Sequence, residues 1–257
     1  MMKVTGICMV RDAEDIIGYI VEHMVEQVDQ VIVADNLSQD KTRQILESFG
    51  SKITLVEDND PAYRQSEKMT DLALLAGRLG AEWVVPFDAD EWWYSDQGRL
   101  ADVIRDNNYC IYVAQMFDHY PTGVDSDDPN PMKRIAWRNP GPNPLHKVAC
   151  RITNGMIIEM GNHNVTYRDH LPTYGTDLIK VRHYPYRSAK QFVDKAVVGA
   201  MALDLTDLPF ETGQHWRQYA QIARDHGDAE LENVFREHFW RHDPALSGDL
   251  ILDPIIP

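Results

Sequence analysis

Apolar and polar positions alternate along the first hundred residues with two different periods. Residues 3–10 form a short apolar run of strand length. Beyond it Ile16, Ile17, Ile20, Val21, Met24 and Val28 recur at three- and four-residue spacing, which predicts an amphipathic helix with Asp12 as its cap. Residues 30–34 (QVIVA) read as a buried strand. The polar stretch DNLSQD then turns the chain into a helix over 41–49, with Gly50 where a C-terminal cap belongs. A third strand is predicted at 53–56 and a helix at 66–79, with Met69, Leu72, Ala73, Ala76 and Leu79 on one face. The fourth strand, 82–87 (EWVVPF), ends at Asp88. Strands and helices alternating at this pitch predict an α/β fold with a mostly parallel central sheet and helices on both faces. Such sheets bind ligands outside the carboxyl ends of their strands, near a switch in strand order. The loops that begin there start at Arg11, Asp35, Glu57 and Asp88.

The second half follows another pattern. A strand is predicted at 109–117, and Pro121, Pro129, Pro131, Pro140, Pro142 and Pro144 then break up an irregular stretch to about residue 145. A loop of that length is usually either disordered or a functional segment, such as an acceptor loop or lid. Short strands are predicted at 146–152, 156–160 and 178–184. A helix over 188–203 carries Phe192, Ala196, Ala200 and Leu203 on one face, two more helices fill 212–240, and the tail DPIIP is extended. With no repeat, low-complexity tract or flexible linker, the expectation is a single domain over 1–257: a first half at 1–100, a second at 101–205 and a C-terminal helical extension at 206–257.

Composition narrows the classes. The chain has 257 residues, 44% of them hydrophobic and 25% charged, as in ordinary globular proteins. No apolar run is long enough for a membrane span, and the N-terminal strand runs into charge without a cleavage site, so a cytoplasmic location is expected. Cys8, Cys110 and Cys150 are odd in number and widely spaced, which reads as buried thiols rather than disulfides or a zinc cluster. Lys+Arg 25 against Asp+Glu 40 gives a net charge of −15, which disfavours nucleic acid or an anionic membrane as partner. An acidic chain acting on a phosphorylated substrate also needs a cation to mediate, so a metal site is expected.

VVPFDADEWW supplies one. Two carboxylates spaced i, i+2 past a buried strand can reach a single hard cation, and Mg²⁺ or Mn²⁺ takes few protein oxygens and leaves the rest of its shell to water and phosphate. A capped, solvated acidic turn is the plain alternative.

The motif does not stand alone. MVRDAEDIIGYIVEHM, VIVADNLSQDKTRQIL, RQSEKMTDLALLAGRLGAEWVVPFDADEWW and HYPYRSAKQFVDKA resemble, in this order, segments of glycosyltransferase family 2, of the GT-A (Rossmann-like) fold. The likeness is to its bacterial branch with a DADE-type metal motif, with Asp12 where the family usually has Asn. It lies mainly in 3–95, with a second patch at about 146–200. The resemblance implies a metal-dependent, inverting glycosyltransferase that uses a nucleotide-sugar donor, a UDP-sugar by default, with Mn²⁺ or Mg²⁺ as cofactor. It implies that Asp35 lies near the donor base or ribose, that Arg11 and Arg64 meet the nucleotide or diphosphate, and that Asp58 reaches the base. Asp88 is expected at the ribose or metal, Asp90 as a direct metal ligand and His183 as the residue completing the metal site. Arg187 and Lys190 could meet the diphosphate, while His146, Lys147 and His163 line the donor or acceptor pocket.

The acceptor hydroxyl must lose a proton as it attacks, which calls for a general base. Glu159, Asp118 and Glu91 are the candidates. Trp92, Trp93, Tyr94, Tyr120 and Trp137 would suit stacking on a sugar or could belong to the core. A saccharide, a lipid-linked sugar, a protein and a small molecule all stay open as acceptor. Three rival readings remain: a nucleotidyltransferase, a metal-dependent phosphohydrolase, and a sugar-binding relative without turnover. The first strand is followed by no Gly-rich phosphate loop, which counts against the first rival.

Overall fold

The computed structural model describes residues 2–106, 109–168 and 172–255. In chain order the elements are β1 (Val4–Val10), α1 (Ile17–Gln27), β2 (Gln30–Asp35), α2 (Thr42–Ser48), β3 (Thr54–Glu57), α3 (Gln65–Arg78), β4 (Trp83–Pro86), β5 (Glu91–Tyr94), α4 (Leu100–Arg105) and β6 (Ile111–Asp118). There follow α5 (Pro131–Arg134), β7 (Trp137–Arg138), β8 (Lys147–Arg151), β9 (Ile157–Ile158), β10 (Val165–Thr166) and β11 (Tyr174–His183). The chain ends in α6 (Ala189–Asp204), α7 (Gln214–His226), α8 (Asp228–His238), α9 (Pro244–Ser247) and β12 (Ile251–Leu252).

Eight strands form one sheet in the order β3-β2-β1-β4-β8-β6-β11-β5. The pairs among β1, β2, β3 and β4 are parallel. Beyond β4 the sheet is mixed: β8 runs antiparallel to both β4 and β6, and β11 antiparallel to β5. The α/β class is the expected one, and the four strands that alternate with helices are those that pair in parallel, as helical crossovers require. Strand order reverses between β1 and β4, so a crevice is expected at the ends where Val10 leads to Arg11 and Pro86 leads to Asp88.

The predicted elements of the first hundred residues form within a residue or two of their expected ends. In α1 the apolar stripe Ile17, Ile20, Val21 and Met24 is buried, each side chain contributing about 1.5–3 kcal/mol relative to exposure. Asp12 does not cap that helix. Its backbone adopts φ 49°, and its carboxylate accepts from the Gln39 amide at 2.6 Å, tying the loop after β1 to the loop after β2. Leu79 lies beyond the end of α3 and is exposed. β5 was not predicted. Its inward positions are Glu91 and Trp93, so a glutamate breaks the apolar half of a four-residue alternation. Of the predicted extended tail, residues 256–257 lie outside the described residues.

The chain packs into two compact units, and neither is continuous in sequence. Residues 1–60, 65–117 and 142–183 make up the first, and 61–64, 118–141 and 184–257 the second. The chain passes between them through segments with no linker composition. The first unit carries the sheet, with a core that includes Ile7, Ile32, Met69, Ala73, Val84, Ile111 and Val148. In the second, Phe192, Val193, Ala196, Leu231 and Phe235 pack among Tyr186, Tyr219 and Phe239. Gly199 permits the approach of α6 and α7, since a Cβ there would meet the Trp216 ring at 2.4 Å. Cys8 and Cys150 are buried free thiols and Cys110 is half-buried. Among the described residues no helix is long and apolar enough to cross a membrane.

His23 links α1 to β5. Its ring stacks on Trp92 with centroids 3.5 Å apart, and its Nε2 lies 2.6 Å from the Trp93 carbonyl oxygen. Burial lowers its pKa to about 4, the Trp93 carbonyl opposing the shift and Arg182 adding to it. The unfolded chain therefore takes up this proton near pH 6.5 and the folded chain only near pH 4, so acid favours unfolding across that window. Stability is expected to fall as pH drops from about 6.5 to about 4 and then to level, by at most on the order of 3 kcal/mol from this residue. Thermal unfolding at several pH values checks this: His23→Phe should flatten the dependence, and an unchanged slope would exclude the assignment.

Candidate functional site

Asp88 and Glu91 close a tight turn at the end of β4. The Glu91 amide donates to the Asp88 carbonyl oxygen at 3.1 Å, the i to i+3 bond of a β-turn, and the Asp88 amide donates to Glu91 Oε2 at 3.0 Å. Ala89 and Asp90 therefore occupy the tip. Glu91 Oε2 also accepts from the Trp93 indole N–H at 3.0 Å, and the residue has no exposed surface.

Lys147, at the start of β8, enters beneath this turn. Its ammonium lies 2.6 Å from Asp88 Oδ2, 2.7 Å from Glu91 Oε1 and 2.8 Å from the Gly161 carbonyl oxygen. Burial opposes its charge, but Asp88 and Glu91 outweigh that and hold the lysine pKa well above its ordinary value. Burial pushes the Glu91 carboxyl up, while Lys147 and the Asp88 amide pull it back. Removing one partner of such a buried pair typically costs about 3–5 kcal/mol.

Two further donors reach Asp88 Oδ1: Gln65 Nε2 at 3.3 Å and Asn162 Nδ2 at 3.1 Å. The Asn162 loop is held in turn by Gln65 Oε1, which accepts from the Gly161 amide at 2.8 Å. Gly161 and Asn162 both lie in the left-handed region, at φ 74° and 56°. Gly161 must be glycine, because a Cβ there would meet the His163 ring at 2.4 Å.

Asp90 has a different partner. β11 runs antiparallel to β5 with His183 opposite Glu91, which sets His183 Nε2 3.8 Å from Asp90 Oδ1. A carboxylate and an imidazole at that separation fit the donor set of a divalent cation that keeps water and phosphate in its remaining positions. Asp88 fits that role less well, with three donors already on its oxygens. Among the described residues no three His, Cys, Asp or Glu side chains converge into a metal-holding group. The three expected ligands thus divide into the pair Asp90 and His183, with Asp88 bound to Lys147.

Asp35 ends β2 and is 4% exposed, yet its Oδ1 has no hydrogen-bond partner, and Arg43 lies 3.8 Å from its Oδ2. A buried acceptor left bare costs free energy, so Asp35 is suited to receive a ligand N–H or O–H. Arg11 lies beside Asp12, 3.6 Å from its carboxylate. Asp58 is occupied internally: Oδ2 accepts from Asn36 Nδ2 at 2.8 Å and pairs with Lys68 at 2.7 Å, while Oδ1 accepts from the Asp60 amide. It shapes the loop after β3, which makes it a poorer candidate for the base than the sequence suggests.

The remaining expected residues are dispersed. His163 Nδ1 lies 2.6 Å from the His146 carbonyl oxygen, and burial is the main cause lowering its pKa. Glu159 accepts from Thr166 Oγ1 at 2.8 Å and Asn164 Nδ2 at 3.3 Å within its own hairpin. Glu91 is fully buried, its Oε2 accepting from the Asp88 amide and the Trp93 indole and its Oε1 2.7 Å from the Lys147 ammonium, which makes it a poorer candidate for the base than the sequence suggests. Asp118, Arg64 and Arg187 belong to the second unit, where the Arg187 guanidinium donates to the Tyr184 carbonyl oxygen at 3.0 Å. Lys190 pairs with Asp194 on the surface. The aromatic set is largely committed to packing: Trp92 on His23, Trp93 fully buried, Tyr94 beneath Arg182 and Tyr120 against Phe239. Gln65 and Asn162 were missed. Glycine before asparagine in GNHN, a pair that tolerates positive φ, was the one available signal for Asn162.

Comparison with known proteins completes the picture. The structure of S. aureus TarS 1–349 in complex with UDP-GlcNAc aligns with a TM-score of 0.41 and 16% identity, over 93% of this chain and 74% of that one. The same fragment with UDP gives 0.38 and 14%, over 92% and 72%. Likeness of this size carries no argument about function. No curated protein matches the chain in sequence. The family model described as glycosyl transferase family 2, however, matches residues 7–160, from β1 through the acidic turn and Lys147 to the hairpin of Glu159. Since that match spans more than half of the chain, the protein belongs to glycosyl transferase family 2 and is a glycosyltransferase.

Proposed function

We propose that the protein transfers a sugar from a UDP-sugar to an acceptor hydroxyl with inversion at the anomeric carbon, and that Mn²⁺ or Mg²⁺ accompanies the donor diphosphate. The observation that carries this reading is the pairing of Asp90 with His183 at 3.8 Å, at the carboxyl end of β4 beside the reversal in strand order. These two side chains would hold the cation, and a neutral imidazole beside a carboxylate suits Mn²⁺ better than Mg²⁺. When bound, a divalent cation offsets charge on the departing diphosphate.

The chain's own residues supply the rest. Asp35, with its bare buried oxygen, accepts from uracil N3–H or a ribose hydroxyl. Asp88, 29% exposed at its side chain and already oriented by three donors, meets a donor hydroxyl. The acceptor's proton passes to a carboxylate, for which Asp118 and Glu159 are the proposed groups.

Calorimetric titration of UDP, GDP, CDP and dTDP should give binding of UDP alone, with Mn²⁺ and not with EDTA. Failure of every nucleotide to bind would sink the reading. Asp90→Ala and His183→Ala should each weaken Mn²⁺-dependent UDP binding by about tenfold or more, as loss of a charged contact does, with melting temperatures near that of the parent. Full transfer by Asp90→Ala in the presence of chelator would rule out the metal role. Of Asp118→Asn and Glu159→Gln, the one that removes the base should lower kcat by about 10²–10⁴-fold while UDP binding persists.

A further inference from the structure

We infer that Lys147 is a positioning residue, acting on the donor only through Asp88, whose carboxylate it holds in one orientation while making no contact with the diphosphate itself. This rests on the reading of the site as a nucleotide-sugar site. A lysine beside a phosphate site is ordinarily a phosphate ligand, and the geometry here speaks against that. The ammonium donates to Asp88 Oδ2 and to the Gly161 carbonyl oxygen and is ion-paired with Glu91 Oε1 at 2.7 Å, so oxygens of the protein itself surround it. The side chain is 5% exposed.

Nor is the arrangement that of a lysine serving stability alone. Glu91 already receives the Asp88 amide and the Trp93 indole at its other oxygen, and it is fully buried. Asp88 is the exposed member, and donors reach it from three separate places: Gln65 on α3, Lys147 on β8 and Asn162 in the loop before β10. The contacts form a closed ring. Lys147 holds Asp88 and the Gly161 carbonyl, Gln65 holds Asp88 and the Gly161 amide, and Asn162 bonds Asp88 directly. A carboxylate has about four lone-pair sites, and three are filled here, so Asp88 presents a single direction to a ligand. Lys147 holds Oδ2 while Gln65 and Asn162 both hold Oδ1, so its loss frees the carboxylate to turn.

The test is a double-mutant cycle made in an E91Q background, so that removing Lys147 leaves no bare buried charge at position 91. UDP affinity in Mn²⁺ is measured calorimetrically, by competition up to millimolar UDP, for E91Q alone and with K147M, D88N or both. Action through Asp88 predicts that K147M weakens UDP binding about tenfold when Asp88 is present and less than about twofold when it is Asn. Equal losses in both backgrounds would overturn the inference in favour of direct phosphate contact. No loss in either, or a K147M protein without cooperative thermal unfolding, would overturn it in favour of a purely structural lysine. D88N keeps Asp90 and His183, the proposed cation pair, so its UDP binding is expected to stay within that range. Absence of UDP binding by the unmodified protein would refute the proposed function instead, a separate outcome.

Discussion

A lysine ammonium buried beneath an acidic turn sets the geometry on which the site depends. Taking such a charge out of water is costly, and it persists only where oxygens take over the role of its hydration shell. Lys147 finds those oxygens on Asp88, Glu91 and Gly161. The same contacts let two carboxylates approach in a turn that their mutual repulsion would otherwise open. Glu91 is drawn inward and begins β5, and β5 in turn pairs with β11. The register of that pairing brings His183 to Asp90.

Four acidic side chains assigned to or beside the proposed donor site therefore have separate duties although they are chemically alike. Glu91 is interior and balances Lys147. Asp88 is held by three donors with part of its carboxylate open. Asp90 faces a histidine. Asp35 is buried with one oxygen bare. Asp58, which the sequence places beside Asp35 in role, is consumed by Asn36 and Lys68. Partner supply distinguishes these residues, and residue type does not.

The parallel strands account for where the site lies, and the antiparallel ones for what reaches it. β1, β2 and β4 deliver Arg11, Asp35 and Asp88 at their carboxyl ends. β8 and β11 come from the later half of the chain and run against their neighbours β4 and β5, bringing Lys147 and His183 to the same region. The match to the model of glycosyl transferase family 2 covers the first contribution and Lys147 and ends at residue 160, before His183.

By itself the sequence determined the elements of the first hundred residues, the α/β class and the family, because apolar periodicity is a local property and the D-A-D-E turn follows directly on an apolar strand. It also named Asp90 as a candidate, through its i, i+2 spacing from Asp88, and His183 through resemblance alone. Tertiary structure alone decided the rest. No local pattern states that a glutamate next to an Asp-Ala-Asp pair points inward, because that depends on a lysine from a distant strand. The roles of Gln65 and Asn162 were hidden for the same reason: each is an ordinary polar residue until a third element places Asp88 within hydrogen-bond reach. The division into two units was equally invisible, since the chain passes between them through segments whose composition matches their surroundings. Periodicity records what a residue does for its own element, while partners distant in the chain decide what its charge does for the site.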